Sequence, residues 1–463
     1  MTTPRRARAQ ADAGAPDSTP APSPPVTRAK GPGGSLLIVE SNHTVPLVHL
    51  VFASRSGSAS DPRHREGLMN LAAEMALRGA GGKTREQLDA ALDALGATLE
   101  VDTQPDQTRF EGDVLARNLD AYLALVADVL LRPTFAPAEL ARSKRELVAQ
   151  IDELRTDDRA LCARFFTRNL YGDHPYGHAP EGLPSTIETA TSAELAAHFK
   201  RHFVGRNLVI AAAGDVDADD LDARLQRAFK GMRDLAAPPV DPLEVRAPVP
   251  PKGWRIQLVD KPDRQQTQLM FGHPAVKASD PDYVPLLIGY EIFGGHGMNA
   301  TLMNEVRTKR GLAYGAYMTL SERRGVGAVS GWVFSGTDKT VATLKLVLKL
   351  YVALMQGGVT TDQVAFFRNF LIGSHASEMD APEHRLDARV SAEVAGLPPD
   401  FVDTLPERLA AVKPIEVNAA LRRHAHARDL AITMVASAPV MKKLLVDSRI
   451  RETDVDVVPF DSY

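Results

Sequence analysis

The chain is poor in cysteine, has no strong excess of either charge and contains no long uninterrupted apolar run. Its single cysteine, Cys162, has no second thiol to pair with, so an internal disulfide and a cysteine-based metal site are both excluded. The 54 Lys and Arg residues against 58 Asp and Glu residues give a net charge of −4. A phosphate backbone needs a basic surface, so we expect no nucleic-acid partner.

Targeting and membrane segments are also missing from the sequence. No stretch approaches the roughly 20 apolar residues of a membrane-spanning helix. The basic residues near the start, Arg5, Arg6 and Arg8, are not followed by the apolar run of about 7 to 15 residues that a secretory signal requires. We therefore expect a cytoplasmic protein without a membrane span, and a misassigned start codon would leave a periplasmic location open.

Length and composition favour two globular domains. A chain of 463 residues with 44% hydrophobic and 24% charged residues is long enough for two cores of roughly 200 residues each. Residues 1–34 are rich in Pro and Ala without apolar periodicity and predict a disordered tail, and the Pro-rich residues 235–252 predict a stiff linker. The predicted domains are therefore residues 35–234 and 253–451, followed by a C-terminal tail, residues 452–463.

A repeat supports this division. Ala-Ser-Asp-Pro at Ala59–Pro62 recurs at Ala278–Pro281, an offset of 278 − 59 = 219 residues. Each copy follows an apolar strand and precedes an apolar helix that ends in glycines, which favours a tandem duplication. Strand signals in the first half alternate irregularly with helical ones, among them a capping box at Thr84–Gln87. This pattern predicts an α+β fold of two tandem duplicated domains, each a mostly antiparallel sheet with helices packed on one face.

One predicted helix has the spacing of a zinc motif without its ligands. Gly67 to Met75 reads Gly-Leu-Met-Asn-Leu-Ala-Ala-Glu-Met, whereas the metal-binding version reads Gly-x-x-His-x-x-Glu-His-Met. Asn70, Ala73 and Glu74 occupy the three functional positions. Zinc binds thiolate, imidazole or carboxylate groups, so an amide and a methyl group offer neither a ligand set nor a base. From these residues alone, an ordinary amphipathic helix is the simplest interpretation.

Together with three other segments, this frame resembles the pitrilysin/insulysin family of zinc peptidases, in particular its two-domain members related to mitochondrial processing peptidase. The other segments are Tyr171–Gly177, Asn207–Asp215 and, most specifically, Glu305–Tyr314, which reads Glu-Val-Arg-Thr-Lys-Arg-Gly-Leu-Ala-Tyr. The resemblance extends over about residues 35 to 450. It implies the same two-domain organisation that the repeat predicts.

The resemblance also implies where the site residues lie. The family's metal ligands would fall at Asn70, Glu74 and Gln150, and its general base at Ala73. Because two of the three ligand positions are neutral amides and the base is absent, we expect no metal and no cofactor in this chain. Arg307 and Tyr314 would correspond to the Arg and Tyr with which family members bind the peptide carbonyl opposite the zinc. Guanidinium and phenol groups are donors suited to the oxyanion that forms when water attacks an amide.

In bacterial two-chain members of this family, one subunit carries His-x-x-Glu-His and its partner carries the Arg/Tyr pair. We therefore expect a zinc-free, non-catalytic subunit of a heterodimeric zinc endopeptidase, which binds unfolded peptide, donates Arg307 and Tyr314 to the zinc site of its partner and is inactive alone. Two alternatives stay open. One is a non-enzymatic scaffold like the core subunits of the cytochrome bc1 complex. The other is a peptide-binding homodimer that adds an extended chain to a sheet edge.

Overall fold

Two halves of similar architecture make up the molecule. The computed structural model describes residues 26–235, 247–295, 297–451 and 454–462. Helices and strands follow one another in the irregular order predicted from the sequence, and each half contains a six-stranded sheet. The predicted α+β fold of two tandem units is therefore confirmed.

The first sheet is mixed but largely antiparallel. Its spatial order is β1 (Val26–Lys30), β2 (Leu36–Ser41), β8 (Leu208–Gly214), β3 (Leu47–Ser54), β7 (Thr108–Leu115) and β6 (Glu100–Thr103). Strands β2 and β8 are parallel, and the other neighbours are antiparallel. A separate two-residue hairpin is formed by β4 (Gly79–Ala80) and β5 (Lys83–Thr84).

The second sheet repeats this plan in five of its strands and differs at one edge. Its order is β14 (Val455–Pro459), β9 (Trp254–Asp260), β13 (Leu430–Ala436), β10 (Gln266–Pro274), β12 (Ala328–Gly336) and β11 (Gly315–Leu320). Strand β9 is parallel to both β13 and β14, and the remaining pairs are antiparallel. Strands β3 and β10 occupy equivalent places and begin at residues 47 and 266, again an offset of 266 − 47 = 219. The duplication inferred from four residues thus extends over five strands of each sheet, whereas β1 is antiparallel to its neighbour and β14 is parallel to its own.

Fifteen α-helices lie within the described ranges. Those of the first half are α1 (Leu68–Ala76), α2 (Arg85–Leu95), α3 (Leu119–Leu131), α4 (Pro137–Leu154), α5 (Asp158–Tyr171), α6 (Pro184–Thr189), α7 (Ser192–His202) and α8 (Ala218–Ala228). Those of the second half are α9 (Tyr283–Gly294), α10 (Thr340–Gly357), α11 (Thr361–Glu378), α12 (Pro382–Val394), α13 (Phe401–Ala411), α14 (Pro414–His424) and α15 (Ala438–Asp447). The predicted capping box of α2 is present, since Thr84 N donates to Gln87 Oε1 (3.0 Å) and Gln87 N donates to Thr84 Oγ1 (3.4 Å).

Each sheet buries one face under helices of its own half. In the first half, Phe52 and Phe110 of the sheet pack into a core with Tyr122 of α3. In the second half, Phe271 of β10 packs into a core with Tyr351 of α10. Burial of one large apolar side chain stabilises a fold by about 1.5 to 3 kcal/mol, so these two cores are the main source of stability.

The opposite face of each sheet is covered by a helix from the other half. Helix α5 of the first half packs Cys162 and Phe165 against Val435 of the second sheet. Helix α12 of the second half packs Leu386 and Val390 against the first sheet. The sequence pattern predicted helices on one face only, because a hydrophobic period shows that a helix has an apolar face but not which sheet it covers.

A buried ion cluster joins α12 to the first sheet. Glu40 of β2 has a fully buried side chain, and both Arg385 and Arg389 of α12 donate to its carboxylate. The Arg385 Nε to Glu40 Oε1 distance is 3.0 Å. Arg389 also donates to Asp403 Oδ1 at 2.7 Å. The two halves are therefore held together by charge pairing as well as by apolar contact.

A second polar junction between α12 and the first sheet depends on pH. His49 Nδ1 lies 3.0 Å from Asp113 Oδ1, and His49 Nε2 lies 3.8 Å from Asp387 Oδ1. Burial lowers the pKa of His49, but the attraction of the Asp387 and Asp113 carboxylates outweighs it, so the pKa is raised above 6.5. The protonated imidazole therefore stabilises the fold fully below pH 6.5, and this contribution is lost as the pH rises through the folded-state pKa.

We expect His49→Gln to destabilise the protein at pH 6, by no more than about 1 kcal/mol as is usual for a partly exposed ion pair, and by much less at pH 9, where the imidazole has lost its charge. Thermal unfolding of both proteins from pH 6 to pH 9 measures this difference. Equal differences in melting temperature at the two ends of the pH range would contradict the assignment.

Two segments predicted as tails contain strands, and the predicted boundaries need correction there. Val26–Lys30 forms β1 and pairs antiparallel with β2, so the disordered tail does not extend to residue 34. Val455–Pro459 forms β14 within the predicted C-terminal tail. Both are edge strands held by main-chain hydrogen bonds on one side, so they need no apolar pattern. Residues 1–25, and residues 236–246 of the predicted linker, lie outside the described residues.

Thr337–Gly357, which contains α10, is the one segment of the described chain that is long and apolar enough to cross a membrane by length and composition. Leu344, Val347 and Tyr351 of this helix are buried in the core of the second half. Its apolar character is thus that of a core helix.

Candidate functional site

The start of α1 is held in place by buried polar contacts. Gly67 has φ of +86°, and a Cβ there would lie 2.5 Å from Gly182 Cα, so this position requires glycine. The Asp61 carboxylate accepts hydrogen bonds from Gly67 N (2.9 Å) and Met69 N (2.8 Å). His198 Nε2 lies 3.2 Å from Asp61 Oδ1, and burial raises the pKa of Asp61. The helix that carries the degenerate motif is therefore firmly positioned.

The motif residues of α1 contact one another and the core. Asn70 Nδ2 donates to Glu74 Oε1 at 3.4 Å, so the structure brings two of the predicted positions together. Ala73 is completely buried in the first core. Burial raises the pKa of Glu74, while the charge of Arg78 and the hydrogen bond from Asn70 oppose this effect. The helix offers one carboxylate, one amide and one methyl group.

The guanidinium that follows α1 is paired with α4. Arg78, two residues after the end of α1, donates to Glu146 Oε2 of α4 at 2.5 Å, and its charge counteracts the rise in the pKa of Glu74. Gln150, the third predicted ligand position, lies one turn after Glu146 and is exposed. Two neutral amides, one methyl group and a single carboxylate leave a zinc ion without a ligand set. Asn70, Ala73, Glu74 and Gln150 therefore do not fit a zinc site.

Sequence reasoning did not identify Arg78 as part of this arrangement. Arg78 lies beyond the end of α1 and pairs with Glu146, a residue 68 positions away, so no local pattern marks this contact.

One group of three possible metal ligands occurs among the residues that the structure describes, and it lies elsewhere. It consists of Asp280, Asp282 and His424. Arg423 donates to both carboxylate oxygens of Asp282, at 2.6 and 2.8 Å, and with His424 it lowers the pKa of Asp282. This group is an ion-paired helix contact, and it includes none of the motif residues.

Arg307 and Tyr314 lie on one connection in the second half. Arg307 is exposed on a π-helical turn, Met303–Thr308, whose Met303 and Val306 are buried. Tyr314 directly precedes β11 and is 66% exposed. Its main-chain N donates to Phe334 O at 2.9 Å, and its ring centroid lies 5.6 Å from that of Phe334. The structure thus presents both predicted donors to solvent.

The charges around Arg307 are distributed unevenly. Glu305 pairs with Lys309, at 2.6 Å, and with Arg310. Within the described ranges, no carboxylate oxygen lies within 4 Å of the Arg307 guanidinium. Arg307 is therefore the cation of this turn that is open to an external acceptor.

Family models match most of the chain. The model described as Insulinase (Peptidase family M16) matches residues 36–181, and the model described as Peptidase M16 inactive domain matches residues 189–371. The first match lies within the first half, and the second begins near the end of the first half, before α7, and extends into α11 of the second.

Relatives of similar length support the same assignment. The chain is 23% identical over 413 residues to the non-peptidase homolog YmxG of Helicobacter pylori, covering 89% of this chain and 93% of the relative. It is also 23% identical over 401 residues to an uncharacterised zinc protease of Streptomyces coelicolor, covering 86% of each chain.

Solved structures show the same fold. A peptidase M16 inactive domain from Pseudomonas fluorescens superimposes with a TM-score of 0.82 at 25% identity, covering 89% of this chain and 97% of that one. A protease from Helicobacter pylori gives a TM-score of 0.79 at 15% identity, covering 89% of this chain and 100% of that one. A chain of complex III2 from Candida albicans gives 0.76 at 15% identity, covering 93% of this chain and 100% of that one.

Proposed function

The chain belongs to the insulinase family, peptidase family M16, and from this membership we propose that it is the zinc-free subunit of a heterodimeric zinc endopeptidase. It is an inactive member of the family. The observation that carries the proposal is the contrast between its two halves: the metal frame of α1 has no ligand set, whereas Arg307 and Tyr314 are present and exposed.

The first half supports the absence of catalysis by the chain alone. Hydrolysis of an amide by a zinc peptidase requires a metal-bound water and a base that accepts its proton. Asn70 donates a hydrogen bond to Glu74, and Ala73 has no proton-accepting group. These residues leave nothing in α1 to activate a water.

The second half supports a role in binding the substrate. An amide carbonyl attacked by hydroxide becomes a tetrahedral oxyanion, and donors positioned for it act mainly in the transition state. A zinc ion held by the partner would supply the activated water. In this proposal the Arg307 guanidinium and the Tyr314 hydroxyl donate hydrogen bonds to the substrate oxygen, and the exposure of both groups lets a partner's active site approach them.

Reconstitution tests this function. The chain, a sister chain with an intact His-x-x-Glu-His motif, and their equimolar mixture are each incubated with a dye-quenched unfolded protein. We expect hydrolysis that depends on zinc in the mixture only, and none when the motif glutamate of the sister chain is replaced by glutamine. A sister chain that is equally active with and without this chain would overturn the proposal.

A non-enzymatic scaffold is the second candidate, and the fold similarity to a chain of complex III2 is compatible with it. That similarity, at 15% identity, concerns the fold alone. Stable co-purification with a membrane complex, together with no gain of activity with any sister chain, would favour the scaffold.

A further inference from the structure

We propose that the chain also selects the substrate, through an aromatic strip that binds an aromatic side chain of an extended peptide carrying a neighbouring acidic residue. The aromatic strip consists of Tyr314, Tyr317, Trp332 and Phe334. This inference rests on the proposed function, because it takes the peptide bound at Tyr314 as its starting point.

The aromatic strip lies on the face of the second sheet that is turned away from the core of the second half. Along β12, Val329 and Val333 enter the core, whereas Trp332 and Phe334 alternate with them and are only partly buried. Helix α5 covers the middle strands of this face, where Phe165 packs with Val435. On the outer strands β11 and β12, Tyr317, Trp332 and Phe334 are half-buried and remain partly accessible next to the first turn of α5.

Two ring pairs build the strip. Tyr314 and Phe334 have centroids 5.6 Å apart, and Tyr317 and Trp332 have centroids 5.6 Å apart with nearly parallel planes at 10°. Phe334 and Trp332 are two residues apart on one strand, which places them about 7 Å apart on the same face. Gly315 lies between the pairs, and a Cβ there would be 2.9 Å from Tyr317 Cε2, so glycine lets that ring lie against the strand.

The strip continues directly from the proposed catalytic donors. Tyr314 belongs to both, since its hydroxyl is proposed to bind the substrate carbonyl and its ring contacts Phe334. An extended peptide advances about 3.3 Å per residue. A peptide held at Tyr314 that follows the strip therefore places a side chain about two to four residues away against the Phe334 and Trp332 rings.

Two guanidinium groups flank the strip and define its charge preference. Arg159 of α5 lies over the Trp332 ring at 4.1 Å from the centroid, and Arg307 precedes Tyr314. In the part of the chain that the structure describes, neither of these two guanidinium groups has a carboxylate oxygen within 4 Å. A peptide carboxylate next to an aromatic side chain complements both the rings and the charges.

The probes are two synthetic 12-residue Gly/Ser peptides, one with a central Asp-Phe pair and the other with Lys-Ala in the same place. Binding to the isolated, folded chain is measured by fluorescence anisotropy, and kcat/KM is measured with the reconstituted complex. We expect the Asp-Phe peptide to bind about 10-fold more tightly or better, the effect of one desolvated aromatic contact. Equal affinity of the wild-type chain for the two peptides would overturn the proposal.

Substitutions in and beside the aromatic strip test whether it causes the preference for the Asp-Phe peptide. Trp332→Leu, which keeps an apolar side chain, and Arg159→Gln, which alters an exposed residue, should each bring the affinity ratio of the two peptides toward one. Phe366→Leu is the matched control, because Phe366 is an aromatic residue of α11 that is 49% exposed and outside the strip. An unchanged ratio in both strip variants would assign the preference elsewhere and reject the proposal.

The two readouts separate this inference from the proposed function. If the mixture with the sister chain is inactive, the proposed function fails, while binding to the isolated chain still decides whether the strip selects the peptide. If the complex is active but shows no preference, the inference alone fails.

Discussion

Replacing Tyr314 with phenylalanine is expected to lower kcat of the reconstituted peptidase by about 100- to 1,000-fold, the usual cost of removing one oxyanion donor. KM should change little, because the lost hydrogen bond forms mainly in the transition state. The ring and its contact with Phe334 remain, so folding is preserved. Steady-state kinetics of the mixture, with the sister chain in excess, measures the effect.

Arginine variants of the same turn provide the matched comparison. Arg307→Ala should lower kcat by a similar factor, since it removes the second proposed donor. Arg310→Ala removes an exposed guanidinium three residues away that pairs with Glu305, and it should leave kcat close to that of the wild type. Full activity of both Tyr314→Phe and Arg307→Ala would remove these residues from the mechanism.

Replacing Glu40 with glutamine is expected to destabilise the protein by about 3 to 5 kcal/mol, the cost of leaving buried charges without their partner. Glu40 is fully buried, and the charges of Arg385 and Arg389 converge on it. Glutamine has nearly the same volume, so the change tests charge and not packing. Urea denaturation followed by circular dichroism measures the loss.

The control for this experiment is Glu407→Gln, which removes a carboxylate from an exposed position of α13. Surface substitutions of this kind usually change stability by no more than about 0.5 kcal/mol. If Glu40→Gln proves equally mild, the buried cluster does not hold α12 against the first sheet, and the apolar contacts of Leu386 and Val390 are sufficient.

Local patterns in the sequence predicted much of the fold. The repeat of Ala-Ser-Asp-Pro marked equivalent places in two sheets whose strand orders correspond, and Thr84 and Gln87 marked the start of α2. These features depend on residues close together in the chain, so they can be read without knowledge of tertiary contacts.

Long-range contacts could not be read in this way. Nothing in the local sequence of α12 shows that this helix covers the sheet of the other half. The presence of a glutamate, Glu40, in an apolar strand is explained only by the hydrogen bonds that Arg385 and Arg389 donate to it. Strand β1 was missed because it contains Val, Thr, Arg, Ala and Lys and is held by main-chain bonds to β2.

The candidate site, too, was predicted from the sequence only in part. The resemblance placed Asn70, Ala73, Glu74 and Gln150 in the positions of a metal site, and the structure adds the contacts of these side chains, such as the hydrogen bond that Asn70 donates to Glu74. The aromatic strip is flanked by Arg159 of α5, which lies 314 − 159 = 155 residues before Tyr314 in sequence. No local motif could have predicted that neighbourhood.

The metal content of the separated and combined chains tests the central claim most directly. This chain, purified alone and equilibrated with zinc, should contain far less than one zinc ion per molecule by inductively coupled plasma mass spectrometry, and its equimolar complex with the sister chain should contain one zinc ion per pair. One tightly held zinc ion in the isolated chain, with proteolysis that a chelator abolishes, would contradict the account.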